Sequence, residues 1–103
     1  MATSDGNYLI AGHSGSGNNG NKTSLSQGSN DYWVLKIDPS GNIIWQQAYG
    51  SNGNDQCLEI EEANTGGYLF GGFSDSDAGG HKTEANLGNN DYWVIRTDNL
   101  GNI

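Results

Sequence analysis

Shifted by 60 residues, the chain falls on itself without a gap. Tyr8 meets Tyr68, Lys22-Thr23 meets Lys82-Thr83, and Gly41-Asn42-Ile43 meets Gly101-Asn102-Ile103. Residues 1–43 and 61–103 share 19 identities, densest where Asn30-Asp31-Tyr32-Trp33-Val34 matches Asn90-Asp91-Tyr92-Trp93-Val94. Self-similarity at a fixed period marks stacked supersecondary units, each unable to bury its apolar faces alone. A chain of 103 residues is a single domain or less, and it holds about one and two-thirds such units.

Inside one period the apolar runs are short and separated by Gly, Asn, Asp and Ser, which is the punctuation of strands and turns rather than a helical 3.6-residue pattern. Only 16% of the residues are charged, and 17 glycines stand against one proline, a composition closer to turn-rich β protein than to a helical bundle or charged disorder. Four strands, A to D, fit each period. Strand B is predicted over 8–12 and 68–73, strand C over 32–37 and 92–97, strand D over 43–49 and strand A over 57–63, giving the chain order B, C, D, A, B, C. Strand C places Trp33, Leu35 and Ile37 on one face and Tyr32 and Val34 on the other, so both faces carry apolar groups, as in a sheet packed between two layers. Asp38-Pro39-Ser40-Gly41-Asn42 forms a tight C–D link, with Pro fixing φ near the turn start and Gly supplying φ > 0. The B–C connections are long, Gly-, Asn- and Ser-rich, and are the segments expected to carry contacts, over 15–28 and 75–88.

Twelve acidic against four basic residues give a net charge of −8, which repels phosphate backbones and anionic membranes and argues against a nucleic-acid or membrane partner. Cys57 is the single cysteine, so no intramolecular disulfide forms. No apolar run approaches the ~18 residues of a membrane span, and residues 1–6 lack the basic and apolar regions of a signal peptide. If the protein is exported, its leader lies upstream of Met1.

Gly66-Gly67-Tyr68-Leu69-Phe70-Gly71-Gly72, Asp91-Tyr92-Trp93-Val94 and Asp38-x-x-Gly41-Asn42-Ile43-Ile44-Trp45 resemble a β-propeller blade repeat. The likeness is to the ~60-residue repeats of large exported Bacteroidetes-type proteins, many with a C-terminal sorting domain, and it covers nearly the whole chain. It implies an all-β fold of four-stranded antiparallel propeller blades. Residues 1–60 would give B-C-D of the first blade plus A of the second, and 61–103 would give B-C of the second. Asp31, Tyr32, Trp33, Asp38, Gly41, Trp45, Asp91, Tyr92 and Trp93 form the structural repeat motif. The resemblance further implies a non-enzymatic module of a secreted or cell-surface bacterial protein, a scaffold or a protein- or glycan-binding surface whose partners are the remaining blades or further copies. Propellers host enzymes, lectins and scaffolds alike, so the fold does not assign an activity. Asp38 to Trp45 is also similar to the docking motif of quinoprotein propellers, in which a turn Asp and an indole lock one blade to the next; the competing reading is a fragment of such an oxidoreductase.

Few residues suggest chemistry. Trp33, Trp45 and Trp93 are read as packing groups ahead of cofactor or sugar stacking. Asp75-Ser76-Asp77-Ala78-Gly79-Gly80 resembles the first half of a calcium loop, with Asp75 and Asp77 as candidate Ca²⁺ ligands, but no bidentate Glu follows and a solvated loop is favoured. His13 and His81 have no second His or Cys at zinc spacing, and no Gly-x-Ser-x-Gly elbow is present. Glu59, Glu61 and Glu62 are read as an acidic channel lining rather than an acid–base pair. Lys22 and Lys82, and Asp31 and Asp91, recur at one repeat position each, which points to a structural job in both blades: a lysine bonded to a loop carbonyl and an aspartate capping a turn. No catalytic or cofactor-binding residue is assigned.

The repeat also sets an expectation about completeness. The first blade lacks strand A, and the second stops at Gly101-Asn102-Ile103 where strand D should begin, so six strands stand where two blades require eight. Open edges and blade faces carrying Trp33 and Trp93 are expected to drive weak self-association.

Overall fold

The computed structural model describes residues 1–15, 30–75, 79–83 and 90–103. The described residues are all-β. Six strands follow in chain order: β1 (Tyr8–Ser14), β2 (Asp31–Ile37), β3 (Ile43–Tyr49), β4 (Asp55–Glu62), β5 (Tyr68–Ser74) and β6 (Asp91–Thr97). Each falls within two residues of a strand expected from the repeat. β1 runs two residues further than expected, to Ser14, and β4 begins two residues earlier, at Asp55, because the Asp55–Ser74 and Gln56–Phe73 pairs extend its ladder before the apolar run. The strands form two antiparallel three-stranded sheets, β1-β2-β3 and β4-β5-β6.

The register reproduces the 60-residue period. Tyr8 pairs with Ile37 in the first sheet as Tyr68 pairs with Thr97 in the second, and Ser14 pairs with Asp31 as Ser74 pairs with Asp91. Residues 1–7 complete a turn that composition alone does not announce. The Thr3 amide donates to the Asn7 carbonyl and the Gly6 amide to the Thr3 carbonyl, as Ala63 does to Gly67 and Gly66 to Ala63 one period later. Ala2 bridges Tyr8, and Met1 and Leu9 exchange backbone hydrogen bonds, so Met1–Thr3 stand where the last rung of β4 stands in the second sheet. The expectation that the first unit has nothing of strand A is corrected to that extent.

The core lies between the sheets. Leu9, Tyr32, Val34 and Tyr49 of the first sheet meet Tyr68, Phe70, Trp93 and Ile95 of the second, with Cys57 buried among them. Strand alternation decides which groups face inward. On β2 the inward-facing residues are Tyr32, Val34 and Lys36, with Asp31 also buried at the strand's start; on β6 they are Trp93, Ile95 and Thr97, the other parity of the same repeat. The sheets therefore stack head to tail: the face bearing Tyr32 in one unit covers the face bearing Trp93 in the next. Trp93, expected on an open blade face, lies inside this interface, and Tyr92 is outermost at 92% exposure. Trp33 is half-buried on the outer face of the first sheet, its indole N–H donating to Gln46 Oε1 at 3.1 Å.

Candidate functional site

The site that sequence and geometry build together is the junction between the two sheets, which is polar at both ends and aromatic between. At the centre, Tyr32 and Trp93 pack with ring centroids 5.0 Å apart, and the Tyr32 hydroxyl donates to the Trp93 carbonyl at 2.6 Å. Tyr49 stacks on Phe70 at 5.7 Å and Trp45 tilts against Tyr68 at 6.3 Å. Burial pushes the Tyr32 and Tyr49 phenols well above the ordinary tyrosine value, so both remain neutral donors. It also pushes the Cys57 thiol up to about 11, which leaves little thiolate and an unreactive side chain.

One end is a turn lock. Asp38 Oδ1 accepts the amides of Ser40 and Asn42, each at 2.9 Å, while Oδ2 accepts from Asn42 Nδ2 at 3.0 Å. Asp98 makes the same three bonds to Leu100 and Asn102 at 2.8, 2.9 and 3.2 Å. Both carboxyls are held below the usual carboxylate range, first by the amide of the Asn four residues on. Gly41 and Gly101 have φ of 89° and 83°, as the turn demands. The Asp98 turn receives the first sheet: the Trp45 indole donates to the Asn99 carbonyl at 3.1 Å and the Tyr49 hydroxyl to the Gly101 carbonyl at 2.5 Å. A Cβ on Gly101 would come within 2.9 Å of the Trp45 ring. The Asp-x-x-Gly and Trp elements of the repeat motif thus meet across the junction, each from a different repeat.

On the same side, Lys36 is buried and its ammonium bonds Asp5 at 2.5 Å while lying 5.5 Å from the Tyr68 ring centroid. Burial alone would lower the Lys36 pKa, but bonds to Asp5 and Tyr68 outweigh it and raise the value. Asp5, bonded chiefly to Lys36, is driven far below an ordinary carboxyl. One period on, Arg96 reaches Thr65 Oγ1 at 2.9 Å on an open surface. Glu62 closes this edge, accepting the Ser4 amide and hydroxyl at 2.9 and 3.0 Å.

The other end is a buried polar network. Ser51 donates its amide to Asp55 Oδ2 at 2.7 Å, and its hydroxyl lies 2.7 and 2.8 Å from the two Asp55 oxygens and 3.3 Å from Ser74 Oγ. Asp31 is fully buried beside Gly50, where a Cβ would fall 2.1 Å from the carboxylate. Asp91 has the same pairing with Ser74 that Asp31 has with Ser14, yet on the outer unit it is only half-buried, so the burial of Asp31 comes from the neighbouring unit rather than from its own ladder. The Gly50 amide donates to His81 Nδ1 at 3.1 Å and the His81 amide to the Gly50 carbonyl at 2.7 Å, which seats the 79–82 turn on the junction. Lys82 is buried in that turn. Both Asp55 oxygens accept from Ser51, which ties the start of β4 to the segment after β3.

Asp75 Oδ1 accepts the Asn54 amide at 2.8 Å, so part of this candidate calcium ligand ties β4 to the loop; Asp77 lies outside the described residues. Lys22 and most of the expected contact loops also lie outside them. Glu59 and Glu61 are exposed on the outer face of the second sheet, beside Leu69, Gly71 and Val94, around a cleft of about 540 Å³. Among the described residues no three His, Cys, Asp or Glu side chains are grouped to hold a metal ion, and no helix is long and apolar enough to cross a membrane. Ser51, Asp55 and Ser74 were not singled out by sequence, since Ser51 and Asp55 have no second copy within the chain. No protein-family model matches this sequence, and no curated protein matches it significantly.

Proposed function

We propose that the chain is a non-enzymatic β-propeller repeat module of an exported or cell-surface bacterial protein, acting as a scaffold or as a protein- or glycan-binding surface. The observation that carries the reading is the head-to-tail junction. Two copies of one 60-residue pattern stack in the same sense, and the Trp45 and Tyr49 side chains of one enter the Asp98–Gly101 turn of the next. Such packing adds one unit after another in the same sense, as successive propeller blades follow one another around a central axis. The buried polar groups are spent on structure, which supports a scaffold over a catalyst. Export and surface location rest on the resemblance of the repeat.

The test is to append a second copy of residues 44–103 after Ile103, which continues the period and adds a third unit. The reading expects one cooperative unfolding transition at higher temperature than the parent chain, because each added junction stabilises its neighbours. Two separate transitions, or an unchanged Tm, would count against it.

A further inference from the structure

The internal junction buries one face of each sheet, and the two faces left outside are its own repeat equivalents. The outer face of the first sheet carries Tyr8, Ile10, Trp33 and Leu35, which stand one period before the buried Tyr68, Phe70, Trp93 and Ile95. The outer face of the second carries Leu69, Tyr92, Val94 and Arg96, one period after the buried Leu9, Tyr32, Val34 and Lys36. Ile10 is 50% exposed and Val94 63%, so both surfaces present apolar groups to water. We infer that the outer face of the second sheet docks the outer face of the first sheet in a second copy of this chain, head to tail.

Two of the side-chain locks of the internal junction have both members in these faces. The Tyr32 hydroxyl to Trp93 carbonyl bond has its counterpart in Tyr92 and the second copy's Trp33 carbonyl. The Lys36 contact with the Tyr68 ring has its counterpart in Arg96 and the second copy's Tyr8, a pairing in which a guanidinium serves at least as well as an ammonium. The locks made by Trp45, Tyr49 and Glu62 belong to the internal junction and lie outside these two faces. The contact between copies thus rests on the two facing surfaces and these two locks. It is also heterologous: each copy uses two different surfaces, so association proceeds beyond a dimer until a ring closes or continues as an open stack.

This proposal rests on the stacked-repeat reading above, and the experiment separates the two. Sedimentation equilibrium of the wild-type chain, Val94→Glu, Ile10→Glu and their equimolar mixture is run from micromolar to millimolar, with circular dichroism on each. The wild type is expected to exceed the mass of one chain as concentration rises. Each variant alone is expected to lose that association at least tenfold, having one spoiled face. The mixture is expected to recover a complex of one chain of each kind and to stop there. A folded wild type that remains monomeric throughout would overturn the docking and leave the internal stacking in place, whereas an unfolded wild type would count against the stacking itself. A single variant that associates like the wild type, or a mixture that stays monomeric while the wild type associates, would also overturn it. Should Glu at either position unfold the chain, Tyr92→Ser and Tyr8→Ser replace those variants with the same expected outcomes.

Discussion

Asp-Tyr-Trp-Val occurs at 31–34 and again at 91–94, and the two copies live in opposite surroundings. Tyr32 and Val34 are completely buried while Tyr92 and Val94 are 92% and 63% exposed; Trp93 is buried while Trp33 is half-open. The pairing registers are the same, so the difference does not arise within either sheet. It arises from stacking order: a unit with a following neighbour buries its Tyr-Val face, and a unit with a preceding neighbour buries its Trp face. An identical strand can therefore be core or surface according to which side is covered.

The sharpest way to break that comparison is to truncate the same residue in both copies. Tyr32→Ala removes the Trp93 contact and a buried hydrogen bond and is expected to cost about 3–5 kcal/mol, a large part of the stability of a chain this size. Tyr92→Ala is expected to stay within about 0.5 kcal/mol in dilute solution. Urea unfolding of the two variants side by side reads the difference; equal costs would mean the faces are equivalent.

The two Asp-x-x-Gly turns offer a second contrast. Gly41→Ala puts a Cβ at positive φ in open space, a strain of about 1–2 kcal/mol. Gly101→Ala adds an overlap with the Trp45 ring and is expected to cost a further ~1–3 kcal/mol, visible as the larger drop in Tm.

The cations at the fifth position after each Asp31 or Asp91 sharpen the comparison by pH. The Asp5 carboxyl has a lower pKa folded than unfolded, so its contribution is fully present above the ordinary carboxylate value and is lost as pH falls through the depressed one. Asp5→Asn is expected to cost about 1–2 kcal/mol at neutral pH, between a surface and a buried pair because Asp5 is half in water while Lys36 is not, and to flatten the acid limb of a stability–pH curve. Thr65→Ala, which removes the equivalent partner of Arg96, is expected to change stability by less than about 0.5 kcal/mol at any pH. The smallest contrast is Trp45→Phe against Trp33→Phe. The first loses a bond to the Asn99 backbone across the junction, worth about 1 kcal/mol, and the second a bond to a partly exposed Gln46 side chain, worth less.

The strands and the stacking period were legible because the apolar runs of strands B and C repeat and the Asp-x-x-Gly turns carry residues whose backbone preferences are specific. The direction of stacking was not, since Trp33 and Trp93 look alike in sequence and only packing decides which is covered. The turn at 3–7 escaped notice because its counterpart at 63–67 shares only Gly66 with it; backbone hydrogen bonds, rather than side chains, make the two alike. The Ser51–Asp55 network escaped because small polar residues in a Gly- and Asn-rich segment read as solvated loop, and their burial depends on the neighbouring sheet lying over them. Trp45 was legible as a docking residue through its motif, while its receiver, the turn of the following repeat, became visible only in three dimensions.

The central claim is the head-to-tail junction, and the most direct measurement is a nuclear Overhauser spectrum of the chain with labelled aromatic rings, recorded on dilute Val94→Glu so that only contacts within one copy contribute. A cross-peak is expected between the rings of Tyr32 and Trp93, whose centroids lie 5.0 Å apart, together with contacts from Tyr49 to Phe70. A cross-peak from Tyr32 to Tyr92, the signature of two sheets meeting through the same face, would contradict it.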